Sequence, residues 1–242
     1  MPNDGHSGPA EDLFGPIPQN FKLSPSDFAF LWEECKRCFY LKITAGFRRP
    51  PGPFPRIFGT IDNAMKDCFM KRRTEEIVAS MPPGIVAFGE EWVESTPIAV
   101  PGRESTCFIR GKFDTVLQLD DGTYGVIDFK TTKSSPKHLA KYSRQLHAYA
   151  WALENPAPDK FSVAPVSRFG LLVYEPGRFS HEADTEAALT GRLEWVEIPR
   201  DDESFIKYLS EVVEILELPE APPSGRSCAW CKYRDASRET GL

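Results

Sequence analysis

The stretch CFIRGKFDTVLQLDDGTYGVIDFKT, residues 107–131, decides how this chain folds. Apolar and polar residues alternate through Phe108–Leu119, Asp120-Asp121-Gly122 marks a turn, and Tyr124–Thr131 again suits a strand, so the stretch predicts a hairpin. Period-two alternation sends Ile109, Phe113, Leu117 and Leu119 to one face and Arg110, Lys112 and Asp114 to the other. In the second strand Asp128 and Lys130 share a face, opposite the apolar Ile127 and Phe129. Pairing through the turn then brings two carboxylates and an amine together, and Asp114 and Asp128 become candidates to hold one hard divalent cation.

Outward from that hairpin, Ser24-Pro25-Ser26-Asp27 offers an N-cap, a Pro at the first helical position and an acid in the first turn, predicting a helix to about Ile43. Pro50, Pro51, Pro53 and Pro55 make Gly46–Pro55 a loop. Ile57, Ile61, Ala64, Met65 and Phe69 recur at helical spacing and predict a helix over about Arg56–Met81, stopped by Pro82-Pro83-Gly84. Further strands are predicted within Ile85–Val100, near Arg168–Tyr174 and near Arg192–Ile198, and further helices over Pro136–Leu153 and Glu203–Leu218. This order predicts an α/β fold, a mixed sheet flanked by helices, as one domain over residues 21–242. Residues 1–20, with four Pro and three Gly, are expected to be a flexible tail.

With 242 residues, 41% of them apolar, the chain can fill one well-packed core. No run of eighteen apolar residues occurs, and MPNDGHSGPAEDLFGPIPQN has neither a basic start nor an apolar stretch of signal length. The expectation is a cytoplasmic protein with no membrane association. The formal net charge of −6 argues at first against a polyanionic ligand, but the charges are unevenly spread. Ten Lys/Arg face two acids between Cys35 and Arg73, and five basic residues meet no acid between Lys130 and Arg144. Thirteen acids face four cations between Glu175 and Glu220, so one side is expected to meet a polyanion and another to be solvated.

On these motifs the sequence resembles the PD-(D/E)xK nuclease superfamily, in its RecB-like branch with the AddB-like and CRISPR-associated exonucleases. Gly111-Lys112-Phe113-Asp114 is similar to the family's G-x-x-D strand, Asp128-Phe129-Lys130 to its D-x-K strand, and Gln145-Leu146-His147-Ala148-Tyr149 to its Q-x-x-x-Y helix motif. The resemblance implies a restriction-endonuclease-like fold and a metal-dependent deoxyribonuclease, an exonuclease acting on single-stranded or free-ended DNA. It implies that Asp114, Asp128 and the Phe129 carbonyl hold Mg²⁺ or Mn²⁺, and that Lys130 orients or activates the attacking water and offsets charge on the scissile phosphate. Gln145 and Tyr149, one helical turn apart, would face the incoming strand, one by hydrogen bonding and the other by stacking. A helicase or integrase-like protein partner is also compatible with the resemblance. One departure concerns the family's G-x-x-x-H, whose His binds metal: Gly59-Thr60-Ile61-Asp62-Asn63 places Asn63 there, so Asp62 or Glu91 is the candidate replacement ligand. The alternative is a catalytically inactive nucleic-acid-binding or assembly module of the same fold.

Cys35-x-x-Cys38 and Cys228-x-x-Cys231 form the second constellation, while Cys68 and Cys107 are expected to be buried filler. Four thiolates in two such pairs suit either tetrahedral Zn²⁺ or a [4Fe–4S] cluster. The resemblance favours the cluster, with Cys38 replacing the ligand expected at Ser237, and implies a clamp joining the N- and C-terminal parts. A third reading, a zinc-stabilised protein-interaction domain, predicts no DNA binding and no dependence on Lys130.

Overall fold

A computed structural model describes residues 18–132 and 139–240. In chain order its elements are β1 (Asn20–Leu23), α1 (Pro25–Ala29), α2 (Leu31–Glu34), α3 (Lys36–Ala45), α4 (Arg56–Phe69), α5 (Thr74–Ile77), β2 (Gly84–Phe88), β3 (Trp92–Glu94) and β4 (Ile98–Ala99). They continue through β5 (Thr106–Lys112), β6 (Thr115–Leu119), β7 (Tyr124–Thr131), α6 (Leu139–Glu154), β8 (Val166–Ala183), β9 (Glu186–Ile198), α7 (Asp202–Leu216) and α8 (Ala229–Glu239). Most of the predicted tail, residues 1–17, lies outside the described residues, and Asn20 already opens β1.

Five strands order as β2-β6-β7-β8-β9. The sheet is mixed because β7 and β8 run parallel, a pairing that requires a crossover, and α6 lies in that connection. One face packs under α6, where Val126 and Phe169 meet Tyr142, Leu146 and Leu153. The other holds Ile127, Phe129, Leu117 and Leu172, capped by Met65 of α4. A smaller sheet joins β5 to β1 in parallel and to β3 and β4 in antiparallel pairing. The mixed sheet flanked by helices is the architecture expected from the sequence. Among the described residues no helix is long and apolar enough to cross a membrane.

The hairpin through Asp120–Thr123 forms, with Thr115 opposite Ile127 and Gln118 opposite Tyr124. The single strand expected over 107–119 does not, because β5 and β6 belong to different sheets. The chain turns at Phe113-Asp114, so Ile109 and Phe113 join the α6-side core while Leu117 and Leu119 join the α4-side core, and the continuous alternation breaks there.

Three predicted helices change shape. The helix expected from Ser24 to Ile43 divides into α1, α2 and α3, because Phe30 leaves ideal helical geometry and Cys35 is extended, at φ −165° and ψ 106°. The Ser24 side chain makes no capping bond, although Pro25 does open α1. The helix expected to reach Met81 stops at Phe69: Lys71 turns into a left-handed φ of 61° and donates its N–H to Val86 O, drawing the chain along the β2 edge. In the third case α6 is described from Leu139, leaving 136–138 outside the described residues.

The strands expected near 168–174 and 192–198 extend into one long ribbon, across a register shift at Pro176/Arg178 that hides the pattern. Cys107 is buried as expected, but Cys68 is exposed on α4.

Candidate active site and cysteine clamp

The turn at Phe113-Asp114 sets the Asp114 carboxylate beside β7, where it accepts the Phe129 N–H at 3.1 Å. Asp128 points to the α6 side of β7 and is 4% exposed. It forms an ion pair with the Lys130 ammonium and accepts a 3.2 Å hydrogen bond from Gln145 Nε2. The Lys130 ammonium also lies 4.9 Å over the Tyr142 ring. Burial pushes the Asp128 carboxyl up to about 7; Lys130 opposes this and the facing Asp114 carboxyl reinforces it. Burial acts to depress the Lys130 ammonium, but the Asp128 charge outweighs it and holds the group above its ordinary range. Gln145 Oε1 is buried without a hydrogen-bond partner among the described residues. An unpartnered buried acceptor beside two carboxylates is a hard-oxygen donor set of the kind that suits Mg²⁺ or Mn²⁺.

Tyr149 departs from its expected role. It is 5% exposed, its hydroxyl donates to Lys112 O at 2.8 Å, and its ring packs on β5, leaving no open face for a base to stack on. Gly111 explains the close approach: a Cβ there would lie 2.7 Å from Pro25 Cδ and 3.1 Å from Tyr149 Cε1. Gln145 and Tyr149 therefore brace the floor of the site from within.

From α4, Asp62 reaches the site but Asn63 is exposed and points elsewhere. Residues not singled out from the sequence meet Asp62 there. The Lys66 ammonium contacts Asp62 at 2.7 Å, Glu90 at 2.7 Å and Asp114 at 3.1 Å. Burial disfavours that charge, but the Asp114 carboxylate and the three hydrogen bonds hold Lys66 above its ordinary range. Glu90 also pairs with Lys112, and these two lysines keep it below the usual carboxylate range. The side chain of the sequence candidate Glu91 is exposed and makes none of these contacts; only its carbonyl is engaged, by Phe113 N–H. The spacing Asp62/Lys66, one turn apart on α4, is the signal that could have found this cluster.

Asp62, Asp114, Asp128, Lys130 and Gln145 line a cleft of about 920 Å³. Lys22, Lys42, Arg48, Arg110, Lys112 and Lys130 border it, against the carboxylates of Asp27, Asp62, Asp114 and Asp128. Lys42 is bound to both oxygens of the buried Asp27, whereas Lys22 and Arg48 have no ion-pair partner among the described residues. The family model described as the PD-(D/E)XK nuclease superfamily matches residues 64–236, which hold β5, β6, β7 and α6.

The chain belongs to the PD-(D/E)XK nuclease superfamily.

The match begins after Asp62 and Asn63, and it includes one cysteine pair but not the other. No curated protein matches the chain. Among solved structures, the crystal structure of SSO0001 is similar over 82% of this chain and 78% of its own, at 16% identity and a TM-score of 0.44.

The superfamily domain is clamped at its ends by the four cysteines. Cys35 and Cys228 stand at the N-caps of α3 and α8, and Cys38 and Cys231 lie one turn in, so each pair turns both sulfurs toward the other. The sulfurs of Cys35 and Cys231 are 3.7 Å apart, those of Cys38 and Cys228 3.8 Å, and those of Cys38 and Cys231 3.5 Å. All four lie within 4.8 Å of one another, and all four residues are buried. Gly225 N–H donates to Cys35 Sγ at 3.3 Å, and a Cβ on Gly225 would meet Glu34 O at 2.7 Å. Arg49 donates to Cys228 Sγ at 3.2 Å. Burial raises the Cys35 thiol, but hydrogen bonds from the Gly225 and Cys38 amides outweigh it and hold the group down at about 6. Burial pushes the Cys38 and Cys231 thiols up. Four buried thiolates converging in this way suit either a tetrahedral Zn²⁺ or a [4Fe–4S] cluster.

Proposed function

We propose that the chain is a metal-dependent deoxyribonuclease of the RecB-like branch that hydrolyses phosphodiester bonds in single-stranded or free-ended DNA. The observation that carries this reading is the convergence of Asp114, Asp128, Lys130 and Gln145 at the floor of a cleft bordered by more cations than carboxylates. Asp114, Asp128 and the Phe129 carbonyl are the proposed ligands of Mg²⁺ or Mn²⁺, with Asp62 or Glu90 in support. Such an ion, when bound, polarises a phosphoryl oxygen and supplies a nucleophile from water at neutral pH. Gln145 fixes one oxygen of Asp128 and leaves the other to Lys130. The Lys130 ammonium, paired with Asp128 and lying over the Tyr142 ring, is the proposed group that orients the attacking water and offsets charge on the scissile phosphate, a reading its position at the cleft wall supports. Lys22 and Arg48 bind flanking phosphates as unpaired cations.

The cysteine site is proposed to hold a structural metal centre on Cys35, Cys38, Cys228 and Cys231, the [4Fe–4S] cluster favoured by resemblance or one Zn²⁺, since four convergent buried thiolates accept either. Brown protein containing iron assigns the cluster, colourless protein with one zinc per chain assigns the ion, and protein with neither refutes a metal centre at this site.

A second reading, a nucleic-acid-binding module without catalysis, draws on Lys66, whose ammonium already lies among Asp62, Glu90 and Asp114. Cleavage of end-labelled single- and double-stranded DNA in Mg²⁺, Mn²⁺ or EDTA separates the two. Metal-dependent cutting that Asp128→Ala and Lys130→Ala abolish is the expected result; binding without cutting replaces the nuclease with the module.

A further inference from the structure

A stacking surface for DNA is missing once Tyr149 is buried, and the cleft supplies another candidate. Trp92 of β3 is 59% exposed and lines the same cleft as Asp114, Asp128 and Lys130. In the β3–β5 pairing it stands opposite Lys112, so both side chains project from one face of that small sheet. The Arg110 guanidinium lies 5.7 Å from the indole centroid, and Glu94 holds Arg110 from the other side at 3.3 Å. An indole with one face against a guanidinium, at the rim of a cleft that also presents unpaired Lys22 and Arg48, combines an aromatic platform with a backbone-tracking charge.

We infer that Trp92 is a base-stacking residue that receives an unpaired nucleobase next to the scissile phosphate, with Arg110 fixing the indole plane. The inference deepens the nuclease reading and rests on it. A paired base inside a duplex is already stacked on its neighbours and cannot reach a side chain on the rim, so this platform selects single-stranded or frayed DNA. Trp92 acts through binding geometry and takes no part in proton transfer.

The test is equilibrium binding of the full-length protein, in EDTA, to a single-stranded oligonucleotide carrying 2-aminopurine and to its duplex, for the wild type, Trp92→Ala and Trp92→Phe. Loss of one stack is expected to weaken single-strand binding by about 5- to 150-fold in Trp92→Ala. Duplex binding stays within twofold, on the order of a surface contact, and Trp92→Phe recovers most of the single-strand affinity. Quenching of 2-aminopurine by the wild type, lost in Trp92→Ala, gives a second readout that does not depend on activity. Equal losses on both substrates, or none on either, overturn the inference. If Trp92→Ala is unfolded by circular dichroism, Trp92→Phe and the quenching signal of the wild type decide. A wild type that binds and quenches but never cuts refutes the nuclease reading and leaves the stacking role standing; a wild type that cuts, with Trp92→Ala matching its single-strand affinity, refutes the stacking role alone.

Discussion

Replacing Lys130 by Met tests the electrostatics at the floor of the cleft, because it removes the ammonium while keeping an unbranched stem of similar length. The side chains of Lys130 and Asp128 are 16% and 5% exposed, so the substitution strands a buried carboxylate whenever Asp128 is ionised. Once Lys130 is gone the carboxyl can escape by taking up a proton, so the pH-dependent part of the cost at pH 8, one unit above 7, is limited to about 1.4 kcal/mol. At about 2–4 °C per kcal/mol for a domain of this size, the fall in Tm at pH 8 should exceed that at pH 5 by about 3–6 °C. The pH dependence follows from the Asp128 carboxyl, which burial pushes up to about 7 from its ordinary 3.8. A carboxyl raised in this way binds its proton more tightly when folded. Its contribution to stability is present in full below about pH 4 and is lost as pH rises through 7. Without Lys130 the carboxyl moves higher still, so the loss extends further into the alkaline range. At pH 5 Asp128 is protonated, no charge is stranded, and the variant should melt within about 4 °C of the wild type. Thermal melts in EDTA at the two pH values make the measurement, and added Mg²⁺ should return stability at pH 8 by replacing the missing positive charge. An equal loss at pH 5 and pH 8 would show that Lys130 supports the fold by packing and not by pairing with Asp128.

Other outcomes follow from the same geometry. Chelating the metal proposed for the cysteine site, or making Cys35→Ser, should raise amide exchange in α3 and α8 before β6, β7 or β8, and uniform exposure would contradict an end clamp. His147 Nδ1 donates to Ser143 O and Nε2 accepts Asp201 N–H, each at 2.7 Å, and burial holds the imidazole below its ordinary range. Its contribution is therefore full above about pH 6.5 and lost as pH falls through the lowered folded value, so urea unfolding of His147→Gln should show a shallower decline between pH 6.5 and 5. Gly111→Ala should lower Tm by about 2–12 °C through overpacking against Pro25 and Tyr149. Gly59→Ala, in open space inside α4, should raise stability by about 0.5–1 kcal/mol in equilibrium unfolding; the opposite ordering of the two glycine variants refutes the packing account.

The hairpin, the sheet flanked by helices and the meeting of Asp114, Asp128 and Lys130 were legible because they rest on local alternation and a short turn. The break at Phe113-Asp114 was not, since a strand that changes sheets keeps its apolar content and only exchanges which core each side chain enters. Lys66 and Glu90 escaped notice because they are charged residues on otherwise solvated elements, and only the fold brings them to Asp114. Tyr149 was misread for the opposite reason: its motif spacing is right, but burial decides whether an aromatic ring packs or stacks, and Gly111 allows it to pack. The helix break at Cys35 answers to a partner far along the chain, Cys231, 196 residues away.

That separation also sets an order of events in the cell. At about 5–20 residues per second, a ribosome needs about 10–40 s to reach Cys231 after making Cys38, 193 residues earlier. During that interval the segment carrying Asp27, Lys42 and Arg48, which borders the cleft, is held by packing alone, on β1, then β5 and α6, then α7 as each is made. The wall of the cleft is locked last, when α8 emerges and its two sulfurs meet those waiting on α3, so a nascent chain carries the acidic floor of the site long before it has a finished groove to hold a strand against it.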